Sequence, residues 1–74
     1  MGTKQPVVTG PELVRALERA GFAKVRQVGS HVTLEKGRLH ATVPVHGARE
    51  VPKGTVAAIL RSTEMTADDL RRLL

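Results

Sequence analysis

Apolar residues recur along this chain in two periods, and the switch between them marks its elements. Leu13, Val14, Leu17 and Ala20 fall at helical spacing. Thr9 and Glu12 stand as a capping box ahead of them, Val8 and Leu13 as its hydrophobic staple, and Pro11 suits a first helical turn. Gly21 takes the position just past a helix end, with Phe22 placed to pack back on the last turn. The spacing therefore predicts a helix from Gly10 to Ala20. From Ala23 the pattern changes to alternation, and predicts strands over Ala23–Val28, Ser30–Glu35 and Arg38–Val43. Lys36–Gly37 reads as a two-residue hairpin turn. It pairs Glu35 with Arg38, Leu34 with Leu39, Thr33 with His40, Val32 with Ala41 and His31 with Thr42. Val25, Val32, Leu34, Leu39, Ala41 and Val43 are then expected towards the helices. Lys24, Arg26, His31, Thr33, His40 and Thr42 are expected on a basic, solvent-facing side.

Pro44 ends the third strand, and Val45–Val51 reads as a loop carrying His46, Gly47 and Arg49. Helical spacing returns over Pro52–Ser62, with Val56, Ile59 and Leu60 on the buried side. Gly54 in its first turn costs about 1 kcal/mol against alanine in a helix interior. Thr66 caps a last short helix with Asp69 completing the box, and Leu70, Leu73 and Leu74 follow. The pattern thus predicts one α+β domain over residues 9–74, a helix, a three-stranded antiparallel sheet and a helix with a short C-terminal helix, behind a flexible tail over residues 1–8.

Charge adds what the pattern does not show. Twelve Lys and Arg against seven Asp and Glu give +5 and a pI near 10.8, a balance suited to anionic partners, nucleic acid first. Phe22 is the one aromatic residue of the chain. This argues against a base-stacking platform, and phosphate contacts are expected to carry most of the affinity. A chain of 74 residues buries only about 60% of its unfolded surface, which leaves it marginally stable. Without cysteine it has neither disulfides nor cysteine-ligated zinc. No apolar run reaches the roughly 20 residues of a membrane span, and the N-terminus lacks a signal pattern. The expected setting is the cytoplasm, with no membrane contact.

The candidate chemistry centres on Gly29-Ser30-His31. Histidine has an ordinary pKa near about 6.5, so it can take and give a proton close to neutrality. Ser30 is adjacent to it on what reads as a strand, so the two side chains point apart, and Ser30 is better suited to backbone hydrogen bonding at the strand entry. His31, His40 and His46 have no carboxylate or cysteine at ligand spacing, so no metal is expected. Gly47 to Gly54 does not match a nucleotide-binding loop, and no cofactor is expected. Lys53 falls at the start of the second helix, where backbone N–H groups and the helix dipole favour an anion.

Taken in order, Glu12-Leu13, Leu17 to Gly21-Phe22, Arg26-Gln27-Val28-Gly29-Ser30-His31, Val43-Pro44-Val45-His46-Gly47, Lys53-Gly54-Thr55, Ile59-Leu60 and Met65-Thr66-Ala67-Asp68-Asp69-Leu70 resemble the HicA toxin family, also called the YcfA-like proteins. The resemblance implies a fold like a double-stranded RNA-binding domain. It also implies a toxin of a type II toxin–antitoxin pair that cleaves mRNA independently of the ribosome, blocked by a HicB-like antitoxin. The family's catalytic histidine maps onto His31. The chain departs from the family at Val32, where relatives often carry a second histidine or another polar residue, and in its short loop at Lys36–Gly37. On this reading His31 is a general base on a ribose 2′-hydroxyl. Lys24, Arg26, Ser30, His40 and Lys53 contact the substrate, His40 or water protonates the leaving oxygen, and no metal takes part. The free toxin is expected to be a monomer. A non-catalytic basic RNA-binding module is the alternative.

Overall fold

The computed structural model describes residues 4–74; the first part of the expected tail, Met1–Thr3, lies outside the described residues. The elements follow in the order α1 (Gly10–Arg19), β1 (Ala23–Val28), β2 (His31–Lys36), β3 (Leu39–Pro44), α2 (Lys53–Ser62) and α3 (Ala67–Leu73). This is the α+β order that the hydrophobic pattern predicts. Local sequence explains both capped helix starts. The Thr9 hydroxyl accepts from the Glu12 N–H while the Glu12 carboxylate accepts from the Thr9 N–H. Thr66 and Asp69 repeat the arrangement before α3. Each carboxylate is held below its ordinary pKa, chiefly by the backbone N–H that it caps. At the other end of α1, the Phe22 N–H reaches the Leu17 carbonyl and the Gly21 N–H that of Glu18, the paired bonds of a Schellman ending. Lys36 adds a third contact there, donating to the Ala20 carbonyl at 2.7 Å and lying over the Phe22 ring.

The core forms where one face of the sheet meets the helices. Val32, Leu34, Ala41 and Val43 project from β2 and β3 into a cluster with Leu13, Ala16 and Leu17 of α1 and Val56, Ile59 and Leu60 of α2. Each fully buried Leu or Ile contributes roughly 1.5–3 kcal/mol relative to exposure. Val8 joins this cluster, as a staple should, and so does Val51, which the sequence reading leaves in a loop. The packed unit therefore includes Val8, one residue ahead of the predicted boundary. Thr63 is buried too, its hydroxyl donating to the Ile59 carbonyl at 2.8 Å.

Two expectations about the sheet are corrected. The sheet has the order β1-β2-β3, but β2 and β3 pair Lys36 with Leu39, Glu35 with His40, Leu34 with Ala41, Thr33 with Thr42, Val32 with Val43 and His31 with Pro44. The turn is Gly37–Arg38, not Lys36–Gly37. Gly37 has φ +60 and Arg38 is not left-handed, so glycine holds the first central position, as a type II′ hairpin turn requires. Gly29–Ser30 turns the β1–β2 hairpin in the same way. The second correction concerns β1. A bulge lies between Lys24 and Arg26, so that Lys24 pairs with core-facing Leu34 while Arg26 pairs with outward-facing Thr33. Lys24 and Arg26 therefore do not share a face. Val25, expected in the core, is 51% exposed within the bulge. An extra residue in one strand resets its alternation.

Candidate active site

Register sorts the open face of the sheet into three rungs. Val28, His31 and Pro44 form the first, Arg26, Thr33 and Thr42 the second, and Ala23, Glu35 and His40 the third. Facing residues of antiparallel strands share a side. His31 thus stands between Val28, which is 64% exposed, and half-buried Pro44. Arg26 is its diagonal neighbour on β1, at a Cβ separation of about 7–8 Å. The Thr33 and Thr42 hydroxyls lie 3.3 Å apart on the middle rung. Since Lys24 has moved to the other side and Glu35 occupies the third rung, Arg26 is the single Lys or Arg among these rung positions. The face is less basic than alternation predicts.

The positive charge beside His31 is supplied instead by the segment after β3. In an antiparallel hairpin the end of the second strand lies beside the start of the first, so the chain leaving Pro44 begins beside Ser30 and His31. Residues 45–52 form a strap held at both ends. The Val45 N–H donates to the Ser30 carbonyl at 2.6 Å, and the Val51 N–H to the Val8 carbonyl at 2.7 Å. An isolated bridge joins Thr9 to Glu50. Gly10 packs directly under the strap's start. A Cβ at Gly10 would lie 2.6 Å from the Pro44 carbonyl oxygen and 2.8 Å from the Val45 Cα, closer than packed atoms allow, so only glycine lets α1 approach here.

Strap and sheet together enclose an open cleft of about 480 Å³, lined by His31, Thr42, Pro44, His46, Arg49, Glu50, Val51, Pro52 and Thr55. Of the residues singled out in the sequence, His31 lines this cleft. Ser30 does not line it but accepts from the Val45 N–H through its carbonyl and so anchors the strap, and Arg26 lies on the rung adjoining that of His31. His40 does not reach it. On β3 it is four residues from Pro44, roughly 13 Å at about 3.3 Å per residue. It lines a separate groove with Thr55, Ile59 and Ser62 of α2. The register predicted from the sequence, with Thr33 opposite His40 and His31 opposite Thr42, would make His31 and His40 diagonal neighbours; the observed register, with His31 opposite Pro44 and Glu35 opposite His40, separates them. Lys53 opens α2 but lines grooves with Gln5 and Val7, and its carbonyl accepts from the Gln5 side chain at 3.0 Å.

The cleft residues passed over in the sequence are His46, Arg49, Glu50 and Thr55. The place of the three strap residues in the cleft depends on the tertiary ties of the strap to Ser30, Val8 and Thr9, which no local pattern announces. Among the described residues no group of three His, Asp or Glu side chains is placed to hold a metal ion, and no helix is long and apolar enough to cross a membrane.

No curated protein matches the chain significantly. The family model described as HicA toxin of bacterial toxin-antitoxin matches residues 10–65, a span that runs from the N-terminus of α1 through the sheet, the strap and α2. With most of its length in that match, and with the helix–sheet–helix order already in view, this chain belongs to the HicA toxin family.

Proposed function

We propose that this HicA-family toxin is an endoribonuclease that cuts mRNA by internal transesterification, with His31 as general base. The observation that carries the reading is the exposed His31 imidazole on the wall of a cleft large enough for a nucleotide and flanked by arginines. His31 takes the proton of a ribose 2′-hydroxyl. The 2′ oxygen attacks the adjacent phosphorus, a P–O2′ bond forms, and the P–O5′ bond breaks. Its electron pair leaves on the 5′ oxygen, which gains a proton. The products carry a 2′,3′-cyclic phosphate and a 5′-hydroxyl. General base catalysis of this kind contributes about 10²–10⁴-fold.

Arg26 offsets charge growing on the phosphoryl oxygens, as positioned cations do in such transition states. Ser30 holds the turn that carries His31. Lys24, His40 and Lys53 lie outside the cleft, where they contact flanking phosphates of a longer RNA. Written this way the step calls for no metal, and cleavage is expected to survive chelation with EDTA. DNA binds but is not cut, since it has no 2′-hydroxyl. The free toxin acts in the cytoplasm as a monomer, and a HicB-like antitoxin silences it by covering the cleft.

The test is cleavage of a defined RNA by purified wild-type protein and His31→Ala. Loss of cutting with RNA binding retained supports the reading. An undiminished rate in His31→Ala removes His31 from catalysis. If neither protein cuts and both bind with a steep salt dependence, the chain is an RNA-binding module.

A further inference from the structure

The transesterification written above leaves one proton unassigned, the one gained by the 5′ oxygen. The entering 2′ oxygen and the leaving 5′ oxygen lie on opposite sides of the phosphorus, so a group placed to deprotonate the first does not reach the second. A second proton carrier is needed across the substrate from His31. The cleft restricts the choice. A guanidinium binds phosphate but is not a proton carrier, which sets Arg49 aside. Carboxyl side chains are ordinarily acceptors rather than proton donors near neutrality. Thr42 and Thr55 are far too weakly acidic to serve. The remaining titratable group in the lining is His46.

Its placement is constrained by backbone. His46 is two residues beyond Pro44, the ladder partner of His31, on the strap rather than the sheet, so the two imidazoles line one cleft from different elements. The Arg49 N–H donates to the His46 carbonyl at 3.1 Å, closing a turn, and the strap is tied to Ser30 before it and to Val8 beyond it. That turn carries His46 and Arg49 into the cleft together. We propose that His46 is the general acid of the cleavage reaction and that Arg49 binds the scissile phosphate between the two histidines. The inference rests on the ribonuclease reading of His31. The proton taken from the 2′-hydroxyl ends on His31, the proton delivered to the 5′ oxygen comes from His46, and both imidazoles exchange with solvent before the next turnover. The charged and titratable groups facing His46 in the cleft are His31, Arg49 and Glu50.

The decisive experiment changes the leaving group. An RNA is prepared with sulfur in place of the 5′ bridging oxygen at the cut site mapped on unmodified RNA. A thiolate, with a thiol pKa near about 8.5, departs without being protonated. His46→Ala and His46→Gln are expected to cut ordinary RNA at least roughly a hundredfold more slowly than wild type, and to approach the wild-type rate on the sulfur substrate. His31→Ala is expected to stay slow on both. His46 is exposed, and circular dichroism checks that both variants are folded. Wild-type cutting of ordinary RNA by the His46 variants, or an equal defect on the two substrates, overturns the assignment of His46 and leaves His31 as base. Full activity of His31→Ala on both substrates, or no cutting by the wild type, instead removes the ribonuclease reading and this inference with it.

Discussion

His31 and His40 stand on the same face of the sheet, at opposite ends of the β2–β3 hairpin. At the His40 end the strands are joined by the two-residue turn Gly37–Arg38, and His40, though exposed, borders a groove against Thr55, Ile59 and Ser62 of α2 rather than the strap. The rung partner of His40 is Glu35, whose negative charge opposes an approaching phosphate. At the His31 end the chain instead runs on from Pro44 into the strap, which brings His46 and Arg49 over the sheet. The neighbours of His31 on its own rung, Val28 and Pro44, are uncharged. Two imidazoles on one sheet thus acquire different chemistry from the length of the connection beside them. A two-residue turn leaves a solvated histidine, whereas a longer connection builds a walled cleft with a second histidine and an arginine.

The contrast can be broken most severely at His31, where alanine is expected to lower the initial cleavage rate by about 10²–10⁴-fold. The wall of the cleft is tested next through its support. Gly10→Ala drives a methyl group into the Pro44–Val45 backbone, and a urea melt should show a loss of about 1–3 kcal/mol, the usual cost of overpacking, with slower cleavage as the strap shifts. A smaller effect is expected from Arg49→Ala introduced into inactive His31→Ala protein. The salt dependence of single-stranded RNA binding should flatten by about 0.7 in log–log slope, the contribution of one phosphate contact.

Acid should loosen the His31 end through the cap of α1. The Glu12 pKa is lowered in the folded state by its bond to the Thr9 N–H. Its contribution is therefore present above its ordinary value of 4.5 and is lost as the pH falls through the lowered value. Asp69 follows the same sign from an ordinary value of 3.8. Melting temperatures measured down the acid limb should fall less steeply in Glu12→Gln than in wild type. At the bottom of the scale, His40→Ala should weaken RNA binding slightly and keep the wild-type cleavage rate at saturating RNA; a loss in that rate comparable to that of His31→Ala would erase the distinction between the two ends.

Much of the architecture could be read from residues a few positions apart. Thr9 with Glu12, Thr66 with Asp69, and Gly21 with Phe22 act through bonds spanning at most a helical turn and a half, and each forms where the pattern predicts it. The hairpin shows where such reading stops. Sliding β3 by two residues against β2 keeps every side chain on its face, because the alternation repeats every two residues. The apolar pairing of the expected register was therefore no evidence against the true one. The glycine-first requirement of the turn made the choice. In β1 a single bulge undid the alternation altogether, and Lys24 and Val25 were misplaced with it.

Local sequence carries the helix caps, the number and order of the strands, the alternation that sends Val32 and Leu34 inward, and His31 as an exposed imidazole at a strand entry. Those features depend on backbone bonds and side-chain periodicity within short stretches. The pairing of His31 with His46, the separation of His40 from both, and the cleft between strap and sheet arise from strand register and from the close approach at Gly10. These join segments distant along the chain, whose relative positions are set by packing the core and satisfying buried backbone groups, and no short stretch of residues encodes them.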